Sequence, residues 1–270
     1  MKPFVLMWGG GDLASGAAIR LHRVGLRILI VEAAQPLAVR RSVSFAQAVY
    51  DGEVTIEGAR GLLISHPEEA QVCWAARQVP VMVDPDLALS LPLKPLVVVD
   101  ARMRKTNQPL SLDIAHLVIG LGPGFVAGEN CHAAVETNRG HFLGRVYWEG
   151  GPEADTGVPG KVGEFARERV IHAPVDGVVQ TYVEIGDHVQ AGDRVLTVGG
   201  HEMRAPFAGI VRGLIYPGLR VEAGTKLGDI DPRPDDFRCW TVSEKSLAIG
   251  GGVLEAILTP PAVRGLLWDA

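Results

Sequence analysis

Residues 4–32 run Phe4-Val-Leu-Met-Trp8, Gly9-Gly-Gly11, Asp12-Leu-Ala-Ser-Gly-Ala-Ala-Ile-Arg-Leu-His-Arg-Val24, then Arg27-Ile-Leu-Ile-Val31 and Glu32. The outer pieces are short apolar runs. The middle spaces Leu13, Ala17 and Leu21 four apart, along one helix face. Strand, glycine turn, helix and strand make a βαβ unit. Gly9-x-Gly11-x-x-Ala14 fits the dinucleotide fingerprint G-x-G-x-x-A, and Glu32, 23 residues after Gly9, stands where the ribose acid is expected. Small residues admit a pyrophosphate to a helix N-terminus, whose unpaired N–H groups attract anions. Gly9, Gly10, Gly11, Asp12, Ser15, Gly16 and Glu32 are therefore candidate cofactor-binding residues. The same turn also suits plain helix–sheet packing, and Asp12 either repels phosphate or caps the helix.

Alternation continues downstream. Residues 61–65, 79–83 and 96–99 read as buried strands, with a helix over 67–78 between the first two. Residues 116–120 form another strand, leading into Gly120-Leu-Gly-Pro-Gly-Phe125. Such alternation predicts a Rossmann-like parallel sheet over residues 1–150, with ligands at the strand C-terminal ends. Gly122 and Gly124 are a second candidate backbone cradle, or a plain tight turn.

Residues 151–169, rich in Gly, Pro, Asp and Glu, read as a linker or flap. Beyond them lies an internal repeat. His172-Ala-Pro-Val-Asp-Gly-Val-Val matches Arg204-Ala-Pro-Phe-Ala-Gly-Ile-Val at an offset of 32, and Ala191-Gly192 matches Ala223-Gly224 at the same offset. Two short β halves of this kind look like the barrel-sandwich hybrid of biotinyl and lipoyl domains, over residues 170–232. Neither half closes a core alone, so the two must pair. The joint, Val198-Gly-Gly-His-Glu-Met203, carries no Lys, so neither biotin nor lipoyl attachment is expected. The fold class predicted is thus α/β, a Rossmann-like parallel sheet with a smaller all-β barrel-sandwich hybrid domain. A C-terminal segment, 233–270, is expected to pack on the first domain. Gly250-Gly-Gly252 interrupts its helical spacing, so either the helix breaks or another backbone needs that bare surface.

One polar cluster stands out, Cys131-His-Ala-Ala-Val-Glu-Thr-Asn-Arg-Gly-His141. His132 and Glu136 share a face whether the segment is strand or helix, and such a pair suits proton transfer or ligand anchoring. Cys131 is a candidate nucleophile or chalcogen carrier if its pKa is lowered, and otherwise a buried thiol. Cys131, His132 and Glu136 are the candidate catalytic residues. Asn138 and Arg139 are candidate ligand donors, suited to phosphate or pterin oxygens. No HExxH or comparable ligand spacing points to a metal.

Composition narrows the classes. With 26 Lys and Arg against 31 Asp and Glu, and 47% apolar residues, the chain is an ordinary globular one with no basic segment for nucleic acid. Glycine fills 33 of 270 positions, well above the usual ~7%, which implies many tight turns and close approaches. The longest uncharged stretch, residues 114–128, holds His116, Pro123 and four glycines, too little for a ~20-residue membrane span. Residues 3–8 are too short for a signal-peptide apolar region. Three scattered cysteines, Cys73, Cys131 and Cys239, fit a reducing cytoplasm.

Several strings together resemble one family. They are Gly9-Gly-Gly-Asp-Leu-Ala-Ser-Gly16, Gln35-Pro-Leu-Ala38 with Arg40-Arg41, Ser44-Phe-Ala-Gln-Ala-Val-Tyr50, Val99-Asp-Ala-Arg102, Ile119-Gly-Leu-Gly-Pro-Gly-Phe125, the Cys131–His141 cluster and Ala248-Ile-Gly-Gly-Gly-Val-Leu-Glu-Ala256. The chain resembles the YqeB-like family linked to selenium-dependent molybdenum hydroxylases, and its first part is similar to the Rossmann part of xanthine dehydrogenase maturation factors. The resemblance implies an accessory role in maturing a molybdenum enzyme, with the hydroxylase apoprotein as partner and a molybdopterin dinucleotide as cofactor. It implies no settled reaction. Such a dinucleotide carries a pyrophosphate, as NAD(P) does, so an NAD(P)-dependent oxidoreductase or a non-catalytic scaffold stays open beside it, as does an oligomer.

Overall fold

A computed structural model describes residues 2–103, 110–154 and 168–267. In chain order the strands and helices are β1 (Val5–Trp8), α1 (Asp12–Arg23), β2 (Ile28–Glu32), α2 (Ala48–Asp51), β3 (Glu53–Ile56), β4 (Ala59–Ile64), α3 (Ala70–Ala75), β5 (Val79–Val83), β6 (Val97–Asp100), β7 (Leu117–Leu121), β8 (Ala133–Val135) and β9 (Val146–Tyr147). There follow β10 (Val170–His172), β11 (Gly177–Thr181), β12 (His188–Val189), β13 (Arg194–Val198), β14 (His201–Arg204), β15 (Gly209–Leu214), β16 (Arg220–Val221), β17 (Lys226–Asp231), α4 (Phe237–Trp240), α5 (Glu244–Leu258) and α6 (Pro261–Leu267). The described residues fall into two compact units. Residues 2–36, 44–103, 110–154 and 242–267 make the first, and 37–43 with 168–241 make the second.

The first unit is built on a nine-stranded sheet in the order β3-β4-β5-β2-β1-β6-β7-β8-β9. The seven inner strands are parallel to their neighbours, while β3 and β9 run antiparallel at the two edges. β1, β6 and β7 are buried at every position, which is why they are apolar without alternation. Phe4, Leu6, Leu29, Val31 and Val98 pack with Cys73 and Trp74 of α3 in one core cluster. α1 ends where Gly25 takes a left-handed turn (φ +87°) and Leu26 N–H closes back on Leu21 at 3.0 Å.

α5 is unbroken through its three glycines. Ser243 caps it, accepting from Ser246 N–H. A Cβ on Gly250 would stand 2.9 Å from Ala17 Cα, and one on Gly16 would stand 2.5 Å from Ser246 Cβ, so α1 and α5 approach at backbone distance. A Cβ on Gly252 would strike the Gly144 carbonyl, whereas one on Gly251 meets nothing within 4 Å. The bare surface is needed by other backbone.

The second unit holds two four-stranded antiparallel sheets, β10-β17-β15-β12 and β14-β13-β11-β16. The 32-residue repeat is visible in reciprocal pairing. β11 pairs with β16 as its repeat mate β15 pairs with β12, and β10 pairs with β17 as β14 pairs with β13. Each sheet therefore takes strands from both halves. Leu37–Val43 joins this unit through Leu214 N–H to the Val39 carbonyl (2.8 Å) and Arg41 Nε to the Leu214 carbonyl (2.6 Å). Acidic side chains on β17 are matched by arginines: Asp229 pairs with Arg169, and Asp231 takes a bidentate bond from Arg233 (2.8 and 2.6 Å).

The expected layout, a Rossmann-like parallel sheet followed by a barrel-sandwich hybrid domain, is corrected on both counts. The large sheet is mixed, and among the described residues no α-helix joins β6 to β7 or β7 to β8. The smaller unit is a pair of antiparallel sheets completed by residues from far upstream and by α4, instead of a closed module of 170–232. Most of the expected linker, residues 155–167, lies outside the described residues. Among the described residues no single helix is long and apolar enough to cross a membrane.

Two tests follow from this packing. Gly250→Ala should destabilise by ~1–3 kcal/mol through overpacking, while Gly251→Ala should stabilise by up to ~1 kcal/mol from helix propensity alone. Urea unfolding distinguishes them, and equal effects would refute the close crossing. Burial alone would raise the Asp231 carboxyl, but the hydrogen bonds and charge of Arg233, with Arg212 3.9 Å away, outweigh it and hold the carboxyl below its ordinary 3.8. Its contribution is full above pH 3.8 and lost as pH falls through the lower folded value. Acid titration of stability should therefore be shallower in Asp231→Asn below that pH, and parallel curves would count against the ion pair.

Candidate functional site

The parallel strands of the first unit bring the Gly9–Gly11 turn beside the C-terminal ends of β2 and β6. Gly9 N–H donates to the Val31 carbonyl at 2.8 Å. A Cβ on Gly9 would lie 3.1 Å from the Ala101 carbonyl oxygen and 3.2 Å from Arg102 Cα, so glycine lets β1 exit against β6. Glu32 turns back on the turn. One carboxylate oxygen accepts Gly10 N–H (2.7 Å) and the other accepts Ala33 N–H (2.8 Å). Each oxygen keeps a further lone pair for a ligand hydroxyl.

The glycines and Ser15 divide by role. The Gly10 carbonyl accepts Ala46 N–H (2.9 Å) and the Ser15 hydroxyl (3.1 Å), and the Ser15 oxygen accepts Phe45 N–H (2.8 Å). A Cβ on Gly10 would meet Ala46 N at 2.9 Å. Gly10 and Ser15 thus hold the Ser44–Ala46 segment across the turn, and Gly16 serves the α1–α5 crossing. These three are corrected from ligand contacts to packing. Gly11 differs. It is the extended N-cap of α1 (φ −65°, ψ 180°), and a Cβ there meets nothing within 4 Å. Asp12 follows in the first helical turn, half-buried. The sequence places an open backbone at the helix N-terminus.

The second glycine turn is filled by the protein itself. Phe125 lies on Gly120, where any Cβ would collide with its ring. Asn130 Nδ2 donates to the Gly124 carbonyl (3.0 Å), and its Oδ1 accepts Val126 N–H (2.8 Å). Gly122, left-handed at φ +83°, lies under Thr137, whose hydroxyl oxygen would be 2.6 Å from a Cβ. Gly122 thus packs under Thr137, and the Gly124 carbonyl is engaged by Asn130.

The Cys131–His141 cluster does not form one site. Cys131 and His132 precede β8 and Glu136 follows it, so His132 and Glu136 are ~13 Å apart along an extended chain at ~3.3 Å per residue. The two side chains serve separate backbone partners and do not share a site. Cys131 is 0% exposed among Val118, Phe125, Ala127 and Ala134, and burial pushes its thiol up to about 11. That is the opposite of an activated thiolate. His132 Nδ1 accepts Val118 N–H at 2.9 Å, which places the neutral ring's proton on Nε2. Glu136, buried, accepts Asn138 N–H (2.7 Å) and Glu153 N–H (2.8 Å), pinning the chain as it leaves β9. Asn138 Nδ2 bonds Glu153 (2.7 Å), and Arg139, 47% exposed, pairs with Glu244. The expected acid–base pair, Cys131 thiolate and Arg139 counter-charge are corrected accordingly.

What the site reading missed is Asp100-Ala-Arg102 at the end of β6. Arg102 Nε and Nη2 grip the Asp100 carboxylate at 3.0 and 2.6 Å, and the guanidinium carbon lies 3.1 Å from the Trp8 ring centroid. Trp8 Nε1 is fixed on the Pro85 carbonyl (3.1 Å). The available signal was the acid closing an apolar strand, followed two residues on by Arg. Among the described residues no group of three or more His, Cys, Asp or Glu side chains is placed to hold a metal.

No family model matches the chain. In sequence it is similar to the uncharacterized protein YqeB of Escherichia coli (strain K12), with 47% identity over 254 residues, 94% of this chain and 47% of that protein. The likeness supports a YqeB-like family, and the chain spans about half the length of the curated relative it matches. Among solved structures it is similar to an aspartoacylase family protein from Mesorhizobium loti, at 14% identity, covering 87% of each chain, with TM-score 0.26. The ectoine utilization protein EutE (DoeB) from Ruegeria pomeroyi gives 13% identity, 85% of each chain and TM-score 0.25. A succinylglutamate desuccinylase from Silicibacter sp. gives 13%, 85% of this chain, 84% of that one, and TM-score 0.25. At such scores these structural likenesses carry no functional argument.

The Cys131 environment is directly testable. In native protein it should resist iodoacetamide at pH ~8, reacting only on unfolding. Rapid labelling of Cys131 in the folded state, read by peptide mass spectrometry, would return it to the list of reactive groups.

Proposed function

We propose that the protein binds the nucleotide-bearing end of a molybdenum cofactor and serves, in the cytoplasm, as an accessory factor for a selenium-dependent molybdenum hydroxylase. Molybdenum and selenium rest on the resemblance of the quoted strings to the YqeB-like family. Diphosphate binding rests on Gly11, the single observation that carries the reading. Its backbone is bare at the N-terminus of a twelve-residue helix, where the first N–H groups lack intrahelical partners. Glu32, fixed beside that opening by Gly10 and Ala33, is placed to accept a ribose diol. In this reading the cofactor is cargo. The chain holds it and orients it, and no bond-making step is assigned.

Gly11→Val tests the ligand role, since a Cβ there meets nothing within 4 Å. Calorimetry with ADP, CDP and NAD+ should show binding to the wild type and a loss of at least ~100-fold in Gly11→Val, with stability lowered by no more than the ~1 kcal/mol that Val in place of Gly costs at an N-cap. A deletion host should lose molybdenum hydroxylase activity and regain it only with the wild-type gene. No binding of any of the three nucleotides, or undiminished hydroxylase activity in the deletion host, would overturn the proposal.

A further inference from the structure

The repeat gives the second unit two versions of one strand. Val178-Val-Gln-Thr-Tyr182, on and just past β11, is matched 32 residues on by Ile210-Val-Arg-Gly-Leu214 of β15. The mates meet different surroundings. Ile210 and Leu214 are 1% and 0% exposed, whereas Val178 and Tyr182 are 42% and 45% exposed. β15 is closed over by its own chain. The Arg238 carbonyl of α4 lies 3.5 Å from Arg212 Nε, and Leu214 is bonded to Val39 and Arg41. Among the described residues nothing comparable covers Val178 and Tyr182.

The open residues form one face. Gln180 stands opposite Thr197, Thr197 opposite Glu202, and Val178 opposite Arg220. The Tyr182 hydroxyl meets Gln180 Oε1 at 3.3 Å and Thr197 Oγ1 at 3.5 Å, and the Arg194 guanidinium carbon lies 3.5 Å from the Tyr182 ring centroid. Arg194 Nε is in turn 3.1 Å from Glu202, which also pairs with Arg204. The ring and two arginines are thus ordered before anything binds, which lowers the entropy cost of a contact. Both arginine side chains still reach water, Arg194 at 44% and Arg204 at 58% exposure. Histidine aside, the four strands carry Arg194, Arg204 and Arg220 against the single acid Glu202, in a chain of net charge −5. The sister strands β10, β17, β15 and β12 balance Arg212 and Lys226 against Asp229 and Asp231.

We infer that this open face of β14-β13-β11-β16 is a docking surface for an acidic protein segment that carries aromatic side chains. It does not depend on the nucleotide reading. Exposed arginines present forks that match carboxylates, while Val178 and the rim of Tyr182 supply an apolar contact. Nucleic acid suits the face less well. Arg194 already lies over the Tyr182 ring where a base would stack, and the Glu202 carboxylate stands between two arginines where a phosphate would sit.

The test uses the full chain and defined probes: labelled poly(Glu,Tyr), poly-glutamate and oligo(dT), each followed by fluorescence anisotropy. Poly(Glu,Tyr) should bind the wild type in low salt (~50 mM) and be released in high salt (~0.5 M), as an arginine-led contact requires. Poly-glutamate should bind more weakly, since it lacks the aromatic contact. Tyr182→Ala should lower the affinity for poly(Glu,Tyr) by ~10-fold, and Arg194→Gln with Arg220→Glu by at least as much, with far-UV circular dichroism unchanged. Two independent variants keep the test open should either fail to fold. Absence of poly(Glu,Tyr) binding to the wild type would overturn the proposal, as would undiminished binding to both variants. Equal affinity for poly-glutamate and poly(Glu,Tyr) would reduce the face to diffuse charge and overturn it. Tighter binding of oligo(dT), lost in the same variants, would reassign the face to nucleic acid. Self-association in sedimentation that the variants abolish would reassign it to a second copy.

Discussion

The backbone-to-backbone crossing of α1 and α5 is the constraint on which the first unit depends. With Gly16 and Gly250 bare, the two helices pack closer than any side chain would allow. That closeness fixes α1 lengthwise, and with it the position of its N-terminus against β1 and β2. It also covers the sheet where crossover helices are missing, because α5 reaches β7, β8 and β9. A parallel sheet must be buried on both faces. Here a helix from the far end of the chain supplies the cover that local helices supply elsewhere.

The strand-end carboxylates form a second pattern. Glu32, Asp84, Asp100 and Glu136 each stand at or just past the C-terminal end of an inner strand, and each accepts backbone N–H groups nearby. Asp84, buried, gathers Leu89 and Ser90 N–H and the Ser90 hydroxyl in one turn. An acid in this place is first a substitute for a missing ladder partner. Only where a carboxylate has spare lone pairs beside open backbone, as Glu32 has, does it gain a second role.

The β1–α1–β2 stretch was legible because burial on both faces leaves an unbroken apolar run and the helix keeps a four-residue spacing. The repeat was legible because both halves face the same kind of core. The edge strands were not. β3 alternates over four residues, β9 has two, and neither length separates strand from loop. Leu37–Val43 carries no compositional mark, yet it pairs with β15 some 170 residues on, a contact no local pattern encodes. In the site, the identity of the glycines was readable and their function was not. Gly10, Gly11 and Gly16 look alike in sequence and differ only in what lies opposite each missing Cβ. For His132 and Glu136 the residue types were readable, but their separation across β8 was not.

The interleaving of the two units has a consequence for synthesis. The chain passes from one unit to the other at 36/37, 43/44, 155/156 and 241/242, so the first unit is finished only after the second has been made. α1 emerges within the first two dozen residues and α5 more than 200 later, a wait on the order of tens of seconds at ribosomal speed. Through that interval the apolar face that α5 will cover stays wet. The small second unit can meanwhile assemble from contiguous chain, apart from the early segment it reclaims. Maturation of this protein is therefore a matter of order in time. The close crossing of α1 and α5 forms only after the second unit has been synthesised.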